Sequence, residues 1–290
     1  MKNQRTKGDW FFLTVASSGA ASLLFLLLYI VVNGVDFFGS IPFWQFIAGR
    51  IWQPLSEVGQ FGIFPMLLGS FYVSILAIIF SFPLGVGCAL FTSISLPHEG
   101  GRIFLSFLEI LAGIPSVLFG FIGLMVLVKV FEKYGRLASG ECVLAAALLL
   151  SIMILPFIVT NCVESMEESR SLYEGVSLDL GVSKWYTAAH LILPQSFRAF
   201  SVSLILAFSR AMGETMAVMM VMGNAPIMPT LLGKGESIPA LIALEMGSAE
   251  YGSRHYQALY AAGLVLLVAL FLCNLLFYIL RQRQRKEQSS

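Results

Sequence analysis

Two ionisable residues sit where water is not expected. Arg210 and Glu214 lie four residues apart inside the apolar run AFSRAMGETMAVMM. On one continuous helix that spacing puts both on a single face. Each costs about 2.5–3.5 kcal/mol at a bilayer centre on insertion scales. Such groups pair with one another, face a cavity or mark a substrate route. The planar Arg fork matches the oxygens of a tetrahedral oxyanion such as phosphate or sulfate. Glu214 would hold that fork and balance its charge while the site is empty, with Thr215 beside it. Gly213 and Ala211 are small enough for close helix approach. The methionines Met216, Met219, Met220 and Met222 read as adaptable packing.

Other chemistry is thinly supplied. Cys88, Cys142, Cys162 and Cys273 fall in or at the edge of apolar stretches, without metal-ligand spacing. His98, His190 and His255 are scattered, the spans hold no His, and there is no H-E-x-x-H. No metal site and no bound cofactor are expected, which weighs against an intramembrane enzyme. A phosphate-cradling G-x-x-x-x-G-K-[ST] loop is also absent. Gly233-Lys234-Gly235 lacks the leading spacing and the hydroxyl.

The elements that must position Arg210 and Glu214 follow from composition. Of 290 residues, 57% are hydrophobic and 12% charged, with a net charge of +1. A soluble domain carries about 25% charged residues, and disorder needs low hydrophobicity with high net charge. Nothing in the charge balance points to nucleic acid. A polytopic membrane protein remains, all-α. About 20 apolar residues make a spanning helix, and six runs qualify: 10–32, 65–93, 103–130, 142–163, 197–222 and 256–280. The first follows a basic start but is too long for a signal-peptide core, so it is expected to stay as a helix.

Lys and Arg placement predicts both termini inside the cell. Eleven of the 18, among them Lys2, Arg5 and the tail RQRQRK, fall on the inner side. Six fall outside, Arg136 among them, and Arg210 lies within a span. Residues 1–64 then form a helix and an outer interfacial segment rich in Phe and Trp. Residues 65–282 form a five-helix core with an inner loop at 164–196, and 283–290 a basic tail. There is no internal repeat or low-complexity tract.

The inner loop carries Glu164, Glu167, Glu168, Glu174 and Asp179. Leu172, Val176 and Leu180 form a helical stripe. Gly181 suits a turn with positive φ. Ser183 suits the N-cap of a helix over 184–191, which Pro194 would end. Near the third span's start, Glu109 lies at the membrane boundary. Pro115 and Pro83 are expected to kink their helices.

Gly181, nine residues, then Leu191-Ile192-Leu193-Pro194 resembles the G-x9-I-x-L-P pattern of ABC-transporter permeases. The family pattern opens E-A-A; Gly175, Val176 and Ser177 stand there, with Glu174 one residue earlier. The string RAMGETMAV followed by Gly223-Asn224 is similar to the phosphate-specific, PstC-type permeases. LAGIPSV with Phe119-Gly120, and IALEMG at 242–247, agree. The resemblance covers about 65–280. It implies the type I importer permease fold in a bacterial inner membrane. It implies a second related permease, two ATP-binding subunits that use ATP and Mg, and a periplasmic or surface phosphate-binding protein. It also implies that the loop docks on the ATPase and that Arg210 and Glu214 serve phosphate passage. A permease for molybdate, sulfate or a phosphonate, an intramembrane enzyme and a passive channel are the other readings.

Overall fold

The computed structural model describes residues 7–135, 137 and 139–287. Lys2, Arg5 and Arg136 of the charge tally, and the last three residues of the tail, lie outside the described residues. The chain opens with α1 (Lys7–Phe37) and a short α2 (Phe43–Ala48). Two-residue strands follow, β1 (Trp52–Gln53) and β2 (Gln60–Phe61), paired antiparallel with Trp52 opposite Phe61. This hairpin is the one departure from an all-α chain among the described residues.

Next come α3 (Phe64–Ile94), α4 (His98–Ala112) and α5 (Ser116–Ile122). A π-helical turn (Gly123–Val128) joins α5 to α6 (Lys129–Gly135). The longest helix, α7, runs Val143–Asp179. Beyond it lie α8 (Lys184–Thr187), a second π-helical turn (Ala188–Ile192), α9 (Leu193–Met212) and α10 (Met216–Met222). The chain closes with α11 (Ile238–Glu245) and α12 (Arg254–Glu287). The first five residues of the expected tail are thus a continuation of α12.

Four helices, α1, α3, α7 and α12, are long and apolar enough to cross a membrane by themselves. Two bent pairs, α4 with α5–α6 and the two halves of the 184–212 helix, raise this to six if each pair is one span. The third expected span is therefore not one helix. It turns by 88° between Ala112 and Ser116. Gly113 closes α4 and Pro115 is the N-cap residue of α5. Proline disfavours helical backbone at the residue before it and cannot donate an N–H. Pro83, by contrast, sits inside α3 without breaking it.

α3 and α7 form the central pair. Val73, Ala77, Ala146, Leu150, Ile154 and Ile158 are buried between and around them. Small residues let the backbones close up. A Cβ on Gly85 of α3 would stand 2.6 Å from Ile158 Cγ2 of α7. A second core joins α1, the hairpin, α11 and α12 through Phe37, Phe46, Trp52, Ile63, Leu241 and Leu259.

The segment between α10 and α11 is a tight strap rather than an open loop. Gly223 (φ 93°) and Asn224 (φ 46°) turn the chain back. Carbonyls of Gly233 and Leu231 then accept the N–H groups of Val143 and Leu144. This satisfies donors that the start of α7 leaves free. Lys234 pairs with Glu141 at 2.7 Å, and Ser70 Oγ accepts the Ile238 N–H at 2.9 Å.

Candidate functional site

The expected single helix through Arg210 and Glu214 is broken between them. α9 ends at Met212, and Gly213, Glu214 and Thr215 form the gap before α10. The two residues therefore do not share a face of one helix, and no ion pair joins them among the described residues. Each charge instead meets a helix end. Arg210 is exposed in the last turn of α9, where the helix dipole favours a cation. Glu214 is half-buried, and its Oε1 accepts the Ala217 N–H at 3.4 Å at the start of α10. Thr215 donates its hydroxyl to the Gly213 carbonyl at 3.3 Å.

This arrangement lowers the cost of placing two charges in an apolar stretch. The Arg210 guanidinium is exposed and makes no ion pair among the described residues. Discontinuous helices whose ends face a polar route are the form that ligand sites take inside membranes. Sequence reasoning missed a further polar group here. Ser209 Oγ donates to Asn274 Oδ1 of α12 at 2.9 Å, one residue from Arg210. The signal was present as a lone Asn in the last apolar run. Glu109, expected at the membrane boundary, is exposed in the last turn of α4, beside the 88° bend that follows.

The inner loop departs from two separate short helices. α7 carries straight on to Asp179, so Leu172, Val176 and Leu180 form an exposed stripe on its last turns. Gly181 takes φ 71° as expected, with open space around its Cα, so its role is conformational. Its N–H bonds to the Leu178 carbonyl at 3.0 Å, and Val182 N–H to that of Ser177 at 2.9 Å, closing the helix end. Ser183 caps α8 by accepting the Tyr186 N–H at 3.3 Å. Trp185 and Tyr186 are exposed at the tip.

Pro194 does not end the second helix. It sits in the first turn of α9, and the helix passes through it. The π-helical turn over Ala188–Ile192, just before it, explains why. A wider turn relieves the clash between the proline ring and the carbonyl four residues back. Leu191 is exposed, Leu193 packs against the α3–α7 core, and nothing crowds Gly175.

Glu174 is already engaged. Arg170 grips it with two bonds, Nε to Oε2 at 2.7 Å and Nη2 to Oε1 at 2.8 Å. Arg170 Nη1 also donates to the Ser93 carbonyl at the end of α3. Two donors of the guanidinium thus hold Glu174 on the same helix, and the third ties α7 to α3, 77 residues earlier in the chain.

At the opposite end, Glu245 of the IALEMG string ties the hairpin down. Trp52 Nε1 donates to its carboxylate at 2.9 Å, and His255 Nε2 lies 2.7 Å from Oε2. Glu236 is buried nearby. Loss of water and the neighbouring Glu245 push its carboxyl up to about 7. Among the described residues no group of three or more His, Cys, Asp or Glu is placed to hold a metal.

The chain was compared with known proteins. Residues 81–286 match the family described as binding-protein-dependent transport system inner membrane component. A probable ABC transporter permease protein, YqgH of Bacillus subtilis, is 34% identical over 91% of this chain and 87% of that one. The phosphate transport system permease protein PstC of Mesorhizobium japonicum is 32% identical over 89% and 85%. A bacterial ABC transporter involved in the import of the acidic polysaccharide alginate superposes with a TM-score of 0.64 over 96% of both chains. At 17% identity that likeness speaks to the fold alone.

Proposed function

Since this chain belongs to the family of binding-protein-dependent transport system inner membrane components, and is a multi-pass permease subunit of an ABC importer rather than an enzyme, we propose that the ion it passes is phosphate. The helix break supports an oxyanion path, and the names of the relatives carry the choice of phosphate. The break leaves Arg210 without an ion pair among the described residues at the end of α9, with Glu214 and Thr215 across the gap. The guanidinium offers paired N–H donors to a tetrahedral anion, and several relatives bear the name of phosphate transport permeases. An open guanidinium fits sulfate equally well, so selectivity must come from the whole path.

In this reading the chain forms half of the path and a second, related permease forms the rest. Of two ATP-binding subunits, one docks on the turn around Gly181, with Leu172, Val176, Leu180, Trp185 and Tyr186 offering the apolar contact. They bind the ATP and Mg; this chain binds no cofactor. A phosphate-binding protein delivers the ion at the opposite end, beside the hairpin. Helix bending at Pro115 gives the path a joint.

The test is uptake of radiolabelled phosphate by the assembled transporter in proteoliposomes, with sulfate and molybdate as competitors. Phosphate uptake that the competitors leave unchanged supports the reading. Transport of sulfate or molybdate with no phosphate uptake would replace it.

A further inference from the structure

A cavity of about 550 Å³ lies at the end of the molecule that carries the α7–α8 turn, apart from the helix break. Three regions wall it. The end of α3 and its following loop contribute Thr92, Ser95 and Pro97, and the first turn of α4 contributes Gly101 and Arg102. Arg170 and Lys184 come from either side of the turn. Glu167 is the one acid in the lining.

The positive groups are only partly used: Glu174 balances Arg170 and also attracts Lys184, while hydrogen-bond donors remain. Arg170 spends Nε, one N–H of Nη2 and one of Nη1 on Glu174 and Ser93. One N–H remains on each Nη, because a guanidinium carries five. Arg102 is exposed, and neither it nor Lys184 forms an ion pair among the described residues. The start of α4, a 15-residue helix that no side chain caps, adds free backbone N–H groups, with Glu99 in its first turn taking up part of the dipole's charge.

A second observation concerns what lies beside the cavity. Ile103, Phe107 and Ile110 form an exposed apolar stripe on α4, beginning next to Arg102. α4 stands at 88° to the helix that follows it. In a membrane protein such a stripe meets acyl chains. A charged cavity at the head of an acyl-facing stripe has the layout of a phospholipid site.

We propose that this cavity binds the phosphate group of an anionic ligand, held between Arg102 of α4 and Lys184 of the docking turn. A phospholipid headgroup and free inorganic phosphate are the two sources of that chemistry. Either one would tie the bent α4–α5 unit to the turn that meets the ATPase and so bias coupling. That regulatory consequence rests on the permease reading above; the binding itself does not.

The experiment uses the assembled transporter in an Arg210→Gln background, so that phosphate held in the path does not contribute. Nanodiscs are made of phosphatidylcholine alone or mixed with phosphatidylglycerol. Retained phosphatidylglycerol is read by native mass spectrometry, and inorganic phosphate binding by equilibrium dialysis of the phosphatidylcholine discs. Arg102→Gln and Lys184→Gln should each weaken binding about fivefold, and together roughly thirtyfold.

Retained phosphatidylglycerol without phosphate binding assigns the lipid, and the reverse assigns the free anion. No binding of either probe, or unchanged binding in the double variant, overturns the proposal. Phosphate uptake by the transporter with Arg210 intact, measured in parallel, tests the substrate reading separately.

Discussion

Arg210 and Glu214 sit at the ends of two successive helices, not along the side of one. α9 closes on Met212 and α10 opens on Met216, so the cation lies in the last turn of one helix and the anion accepts the Ala217 N–H at the start of the next. Each charge has the helix end of favourable sign beside it, and no ion pair joins the two among the described residues.

Arg210→Gln should therefore cut phosphate uptake about a hundredfold while the subunits still co-purify. Glu214→Gln should act more mildly, through a loosened start of α10. Normal uptake by Arg210→Gln would remove Arg210 from the path.

Gly181→Val places a β-branched residue at φ 71°. The strain costs on the order of 1–2 kcal/mol or more and should deform the turn between α7 and α8. ATP hydrolysis would then run without uptake, or the ATPase would dissociate. Unchanged phosphate transported per ATP would make the turn a plain connector.

Arg170 and Glu174 act as one unit with the Ser93 carbonyl. Arg170→Met should lower the phosphate moved per ATP, and so should Glu174→Gln. The double variant should be no worse than Arg170→Met, because the coupling between the two is already lost. Additive losses would mean that Glu174 serves a different partner.

Glu236 links stability to pH. Its carboxyl is pushed up to about 7 in the fold, against an ordinary value of 4.5. The unfolded chain therefore gives up this proton at lower pH than the fold does. The stabilisation is complete below about pH 4.5 and is lost as pH rises through about 7. Glu245 and His255 are the ionisable groups nearby. Glu236→Gln should flatten the fall of Tm between about pH 4.5 and 7, a fall that amounts to on the order of 3 kcal/mol in all. Parallel Tm curves for the two proteins would show that Glu236 ionises without penalty.

The sequence alone determined the class of structure and where its expensive residues lie. Long apolar runs, charges held to their ends, Gly181 with Ser183 as a turn and cap, and two ionisable residues in a span are local properties. Local chemistry sets their cost. The tertiary structure decided their partners. The gap at 213–215 is not legible in AFSRAMGETMAVMM, because its apolar periodicity runs on through a single Gly. The wider turn that admits Pro194 depends on packing along the α3–α7 pair. Arg170 reaches a carbonyl 77 residues away, and Trp52 a carboxylate 193 residues away. A residue's own neighbours state what burying it costs. Which distant group offsets that cost is set only when the helices pack.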